Sequence, residues 1–430
     1  MSFLLGPLRK HIPGFKELTD HNEILNIETP KEIAIPLMAM GSTNLELYVK
    51  EGDRVLVNQK IAARNDHFVI PLFSPVSGTV TGFKDEFHGW GGRKSKHIVI
   101  ENDNQYEAVA PTPLDYVSAS KDEIIEHIKE MGIVGCGGAG FPAYLKYKPM
   151  TETPYLIINA VECEPYITQD YRNVNDYLED LVNGVHILRK AGNVQKTLVA
   201  IKEDKKQTIA RLKEAFGGFS DIEVVGVPNV YPMGWERTLV FELLKKRYDR
   251  LPSEIGAVVN NATTAIMVSR AFRLGVPITE KMITVSGDGI KEPRNVLAKI
   301  GTPIGDIVEA CGGTTDENVH VIHGGPMMGK TMLSKNVTIN FTSNALTVLI
   351  ERKVDAIGCL RCAACVDNCP AGLIPVKIQD AEIAKNLDMI EKLDSNACIE
   401  CGLCTYVCPS KIDVTENMRR AKNALRLRKG

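Results

Sequence analysis

Two copies of one cysteine pattern constrain this chain more than any other feature. CLRCAACVDNCP fills residues 359–370 and CIECGLCTYVCP residues 398–409, each spaced C-x₂-C-x₂-C-x₃-C-P. Eight of the 11 cysteines fall in these blocks, and only Cys136, Cys163 and Cys311 lie before them. A disulfide framework distributes its cysteines through a short secreted chain; so dense a cluster in 430 residues points to metal. Charge adds little, because 51 Lys and Arg balance 53 Asp and Glu to a formal −2, with no global pull toward nucleic acid or anionic membrane. No run approaches the ~20 apolar residues of a spanning helix. The opening MSFLLGPLRK, broken by Gly6 and Pro7, lacks the pattern of a secretory leader. The expected location is therefore cytoplasmic, with any membrane contact peripheral. One basic stretch, ENMRRAKNALRLRKG at the end, reads as a solvated helix or as a docking surface for an acidic partner or a membrane face.

Three cysteines on one tight loop can each face a corner of a cubane, while the fourth, just before a proline, points away. In the arrangement of two-cluster ferredoxins, which this pattern resembles, that fourth cysteine ligates the other cluster. The expected metal ligands are thus Cys359, Cys362, Cys365 and Cys408 for one [4Fe–4S] cluster, and Cys398, Cys401, Cys404 and Cys369 for the second. Zinc is the competing occupant, but zinc sites use separated C-x₂-C pairs and do not call for a third cysteine three residues on and a fourth before proline.

The texture of the chain divides it into four parts, placed at residues 1–110, 111–278, 279–341 and 342–430. The first reads as short strands and turns, and its order VKEGDRV, QKIA, SPVSGTV resembles the barrel-sandwich hybrid of biotinyl and lipoyl domains. Lys60 sits in the wrong half to carry a prosthetic group, so the module is structural. In the second part, strand-like runs (YLIINAV, KTLVAIK, IEVVGV, IGAVVNN) alternate with helical stretches, after a capping box at Ser120 and Glu123. This predicts an α/β sheet domain with ligands at its strand ends. The third part is a small β-rich fold with one helix, and the fourth holds the cysteines between helices.

A glycine loop, GCGGAGFP at 135–142, lets backbone N–H groups approach an anion without Cβ clashes. Alone it is a weak signal, equally served by a tight turn. Downstream stand INAVECEP (158–165), YPMGWERTL (231–239) and VNNATT (259–264). This combination resembles the flavin and NADH-binding subunit of respiratory complex I, with its G-x-G-G-A-G-F-P, N-A-x-E-x-E-P, G-x-E and N-N-x-x-T motifs. It is more similar still to the RnfC family, peripheral subunits of the Rnf ion-translocating electron-transport complex. The resemblance covers nearly the whole chain and implies a multi-domain α/β protein. Its parts are a barrel-sandwich hybrid, an FMN-binding domain, a soluble-ligand-binding β-grasp (SLBB) module and a two-cluster ferredoxin-like helical domain. It further implies FMN with its phosphate near Gly135, Gly137, Gly138 and Gly140, contacted by Lys146. Asn159, Glu236, Asn260 and Asn261 complete the flavin site, with NADH as substrate and Phe141 and Glu162 or Glu164 on its nicotinamide side.

The chain departs from that family at two places. The start GPLRKHIPGFKELT keeps only the general shape of a G-G-I-H-P segment, and Cys136 replaces an apolar residue in the glycine loop. The cysteine resembles PrdC, a paralogue that feeds electrons to clostridial proline reductase, so both Rnf membrane subunits and proline reductase components stand as partners. Cys136 is either a packing residue or a thiol whose pKa is lowered by neighbouring N–H groups; Cys163 and Cys311 read as structural. The expected function is an oxidoreductase carrying electrons from NADH through FMN and two clusters to a redox partner. The alternative is a non-catalytic iron–sulfur adaptor fed by another flavoprotein. GGPMMGKT (324–331) satisfies G-x₄-G-K-[ST], yet β-branched residues follow where a helix should open, and Pro326 removes an N–H, so a structural turn is expected.

Overall fold

The computed structural model describes residues 6–7, 10–87, 94–148 and 152–429; residues 1–5, where the leader reading begins, lie outside them. The N-terminal module contains β1 (Leu25–Asn26), β2 (Glu32–Pro36), β3 (Glu46–Leu47), β4 (Arg54–Val55), β5 (Lys60–Asn65), β6 (Val69–Phe73), β7 (Gly78–Phe87) and β8 (Lys94–Asn102). Two small sheets, β2-β8-β7-β4 and β3-β5-β6, form the barrel-sandwich. Residues alternate between core and solvent along the first half of β7, and Ile33, Ile61, Val80 and Ile98 fill the space between the sheets.

The α/β module opens with α1 (Lys121–Glu130), whose Ser120 and Glu123 form the expected capping box. There follow β9 (Thr153–Asn159), α2 (Gln169–Asp176), α3 (Leu178–Gly192), β10 (Val194–Lys202), α4 (Lys206–Phe216), β11 (Ile222–Val227), α5 (Glu236–Leu244), β12 (Ala257–Asn261) and α6 (Ala262–Leu274). The stretch from Val174 to Gly192 reads as one helix in sequence but belongs to two, because the backbone leaves helical geometry at Tyr177 (φ −120°, ψ 42°). The four strands are parallel in the order β11-β10-β9-β12. Strand order therefore reverses between β9 and β12, and the crevice beyond their carboxyl ends is where ligands of such sheets bind. Ile124, Leu181, Val185 and Ile266 cover one face of the sheet, and Leu239 and Val240 of α5 the other. Helices α3 and α6 touch backbone to backbone, since a Cβ on Gly184 would lie 1.9 Å from the carbonyl oxygen of Ala265.

The third module comprises β13 (Glu280–Ser286), β14 (Arg294–Lys299), α7 (Ile304–Ala310), β15 (Val319–His323), β16 (Lys330–Thr331) and β17 (Ala345–Ile350). Its mixed sheet runs β1-β14-β13-β17-β15-β16 and so reaches beyond residue 341 and back to β1. β17 belongs there because it pairs with both β13 and β15, which buries Leu346 and Val348. The short helices α8 (Ala364–Asp367), α9 (Pro375–Ile383), α10 (Leu387–Lys392), α11 (Leu403–Tyr406) and the longer α12 (Val414–Lys429) build the last module around Ile378, Ile390, Met418 and Leu425. Among the described residues no helix is long and apolar enough to cross a membrane.

Candidate flavin and iron–sulfur sites

The glycine loop is closed by its own backbone: Gly135 donates to the carbonyl of Phe141 at 2.8 Å, and Gly140 to that of Gly135 at 3.2 Å. Gly138 (φ +110°) and Gly140 (φ +63°) hold conformations that L side chains rarely adopt. Open space surrounds the position a Cβ would take on Gly138, so a glycine is required there by backbone geometry alone. The loop rests on the start of α6, where Cys136 N–H donates to Thr264 Oγ1 at 2.9 Å and Gly137 lies against Asn261. Asn261 caps α6 through Thr264 N–H and donates to Asp170 at 2.7 Å. Its register partner Asn159 donates to the carbonyl of Gly234 at 2.9 Å. Asn260 donates to the hydroxyl of Tyr147. Lys146 donates to Val259 O at 2.5 Å, and burial pulls its pKa down against the opposing charge of Glu236. Glu236 accepts from Tyr248 at 2.9 Å. Loop N–H groups, a 13-residue helix N-terminus and a buried lysine together make a cradle suited to a phosphate.

Beside it, a cavity of about 290 Å³ opens at the ends of β9, β10 and β11. Its roof is the N-terminal segment, including His11, Phe15 and Lys16, which leaves its own module to cover the α/β domain. Tyr166 N–H donates to Gly14 O at 2.7 Å, Phe15 stacks on Tyr166 at 4.7 Å, and Lys16 Nζ donates to the carbonyls of Glu164 (2.6 Å) and Ile167. Glu162 lines the cavity, faces Lys16 and accepts from Asp170 N–H at 2.9 Å.

The three residues expected on the nicotinamide side are not gathered around this cavity. Only Glu162 lines it; Phe141 meets Phe68 of the barrel edge-on at 6.0 Å. Glu164 turns the other way, its Oε1 accepting from Met327 N–H (2.7 Å) and Met328 N–H (3.0 Å) and its Oε2 from Tyr231 (3.2 Å). The phosphate-loop lookalike at 324–331 is thus a hairpin turn joining β15 and β16 that clasps Glu164. Cys136 also departs from the reactive reading: it is fully buried, and burial raises its pKa despite nearby Lys281. Burial likewise pushes Cys163 and Cys311 up to about 11. Sequence reasoning passes over Lys16, Asp170 and Tyr231, although Tyr231 opens one of the motifs it identifies.

Burial pushes the Glu162 carboxyl up to about 7 from 4.5, partly countered by Lys16. The folded protein then binds this proton more tightly than the unfolded chain, so stability falls as pH rises between those two values. Glu162→Gln should flatten that part of a melting-temperature profile; an unchanged slope would show that other groups set it.

The eight motif cysteines divide between two cavities. Cys359, Cys362, Cys365 and Cys408 line an outer one, and Cys369, Cys398, Cys401 and Cys404 an inner one. Backbone conformation repeats with the sequence: Arg361 and Glu400 have φ near +55° (55° and 56°), and Ala363 and Gly402 are left-handed too. These turns direct N–H groups at sulfur, with Arg361 donating to Cys359, Glu400 to Cys398 and Leu373 to Cys369 at 3.4–3.5 Å. Among the described residues no three His, Cys, Asp or Glu side chains converge on a single point as one metal ion requires. Thiols around a cavity, with N–H donors to their sulfurs, fit a cubane. Cys359 and Cys362 are exposed, whereas Cys369 and Cys401 are buried. The basic residues of α12 are spent locally, Lys422 and Arg419 on Glu400 and Arg428 on Asp388, which favours neither docking reading.

Four family profiles match in succession: an RnfC barrel-sandwich hybrid domain (residues 10–105), a Nuo51 FMN-binding domain (128–270), an SLBB domain (282–331) and a 4Fe-4S dicluster domain (358–412). The RnfC-type component of the proton-translocating ferredoxin:NAD(+) oxidoreductase complex of Clostridium ljungdahlii is 36% identical over 85% of this chain and 81% of its own. The corresponding component of the ion-translocating oxidoreductase complex of Pectobacterium carotovorum is 32% identical over 87% of this chain, which spans only 52% of that longer relative. An air-oxidized NAD+-reducing [NiFe]-hydrogenase structure superposes with TM-score 0.50 at 18% identity, covering 75% of this chain and 69% of its own, a likeness of fold. Fold and sites define an electron-transfer protein of the oxidoreductase class, carrying FMN and 4Fe-4S clusters. The chain belongs to the RnfC family.

Proposed function

We propose that this chain oxidises NADH and delivers the electrons to a protein partner, with FMN and two [4Fe–4S] clusters as carriers. FMN, when bound, takes two electrons as hydride and releases them singly to iron–sulfur centres. The observation that carries the reading is the placement of the glycine cradle and the roofed cavity on one sheet edge, with the inner four-cysteine cavity against the same domain. In this reading Gly135, Gly137, Gly138 and Gly140 present N–H groups to the flavin phosphate, Lys146 supplies positive charge, and Asn159, Asn260 and Asn261 orient the site. Glu162 Oε1, whose carboxyl titrates near neutrality beside Lys16, holds a proton at the cavity wall. The buried cysteine set stands nearest the flavin domain and the exposed set faces outward, which orders the carriers toward a partner.

The named relatives support a membrane-bound ion-translocating complex as that partner, met from the cytoplasmic face without spanning it. Proline reductase components are the competing partner. Anaerobic reconstitution followed by NADH titration tests the reading: flavin absorbance should bleach and cluster signals follow. Clusters present with no flavin bleaching would replace it with the adaptor fed by another flavoprotein. Binding to isolated Rnf membrane subunits or to proline reductase would separate the partners.

A further inference from the structure

Tyr231 touches four segments at once. It is 2% exposed, its ring lines the roofed cavity, and its backbone N–H donates to Lys10 O of the N-terminal segment at 2.8 Å. Its hydroxyl lies 3.2 Å from Glu164 and donates to the carbonyl of Cys401 at 2.8 Å. Around that bond Tyr231 packs with Ile12, Leu403 and Met327, excluding water. Gly402, the next residue after Cys401, is pressed on Met327 so closely that a Cβ would stand 2.6 Å from its carbonyl oxygen. Cys362, at the matching position of the other copy, is exposed.

We propose that Tyr231 is the positioning residue of the junction between the flavin domain and the inner cluster, acting through its hydrogen bond to the peptide of Cys401. The donor draws electron density from the peptide beside a ligand sulfur and so favours the more negative, reduced state of the inner cluster. It also fixes the distance between that ligand loop and the cavity wall. The proposal rests on the reading of the eight cysteines as two crossed four-cysteine sites.

The test is an EPR-monitored redox titration of the full chain, purified anaerobically, as wild type and Tyr231→Phe. FMN and iron contents should be unchanged. The inner-cluster signal, identified as the one missing in Cys369→Ala, should move to lower potential while the outer one stays. The equilibrium between reduced flavin and reduced inner cluster should shift toward flavin by up to about tenfold, the scale of one net hydrogen bond. Glu164→Gln, which keeps the hydroxyl on Cys401, should leave most of the wild-type signal. Incorporating 3-fluorotyrosine at position 231, a stronger donor of similar shape, should move the inner potential the opposite way. Equal movement of both clusters, no movement, an equal effect of Glu164→Gln, or loss of flavin or iron in both position-231 variants would each overturn the proposal. A wild type lacking two distinguishable clusters would instead overturn the site reading beneath it.

Discussion

Cys369→Ala should abolish the cluster built with Cys398, Cys401 and Cys404 and spare the one built with Cys359, Cys362 and Cys365. The expected iron content falls from about eight to about four per chain, with one EPR signal lost. Chain proximity suggests the reverse, since Cys369 follows Cys365 by only four positions. The fold decides otherwise. Cys369 is 8% exposed on the wall of the inner cavity, and Cys408 stands with the first copy. An alanine leaves three buried thiols without their fourth partner, and a low-dielectric pocket penalises an incompletely neutralised set of thiolates. Survival of the signal attributed to the inner set, with loss of the other, would refute the crossed assignment.

A second large effect is expected far from either centre, at Gly184→Ala. The added methyl would fall 1.9 Å from a backbone oxygen of α6, and no rotamer change relieves a clash between two backbones. Helix α6 must move, at a cost of roughly 3 kcal/mol. Asn261 and Thr264 move with it, and both hold the flavin cradle. Purified Gly184→Ala should lose most of its FMN while keeping its iron, because the cysteine module packs around its own core of Ile378, Ile390 and Met418. Normal flavin content would mean that the loop follows α6 as it shifts.

The parts of this molecule that can be read from sequence are those whose chemistry is local. Ligand spacing around a cubane, the capping box at Ser120 and the glycines of the loop each depend on a few consecutive residues. The parts that escape are set by contacts between distant segments. Glu164 stands in a motif with Glu162, yet the turn at Met327 and Met328 claims its carboxylate. Lys16 sits in a segment that carries no motif of its own, and only packing brings it to Ile167. The strand β17 carries the alternation of a sheet, but its membership depends on pairing with β13 and β15. Tyr177 divides a convincing helical pattern by its own backbone angles, without a proline or glycine to announce the break.

The repeated cysteine loops differ at one corner, Ala363 in the first copy and Gly402 in the second, both with left-handed backbone (φ 62° and 79°). The corner of the second copy nests on Met327, where there is no room for a methyl group. A half-turn of the pseudo-symmetric module would offer Ala363 to the same carbonyl and be rejected. The direction of current through a nearly symmetric conductor is thus written in a single missing carbon atom, making docking polarity a matter of steric exclusion rather than affinity.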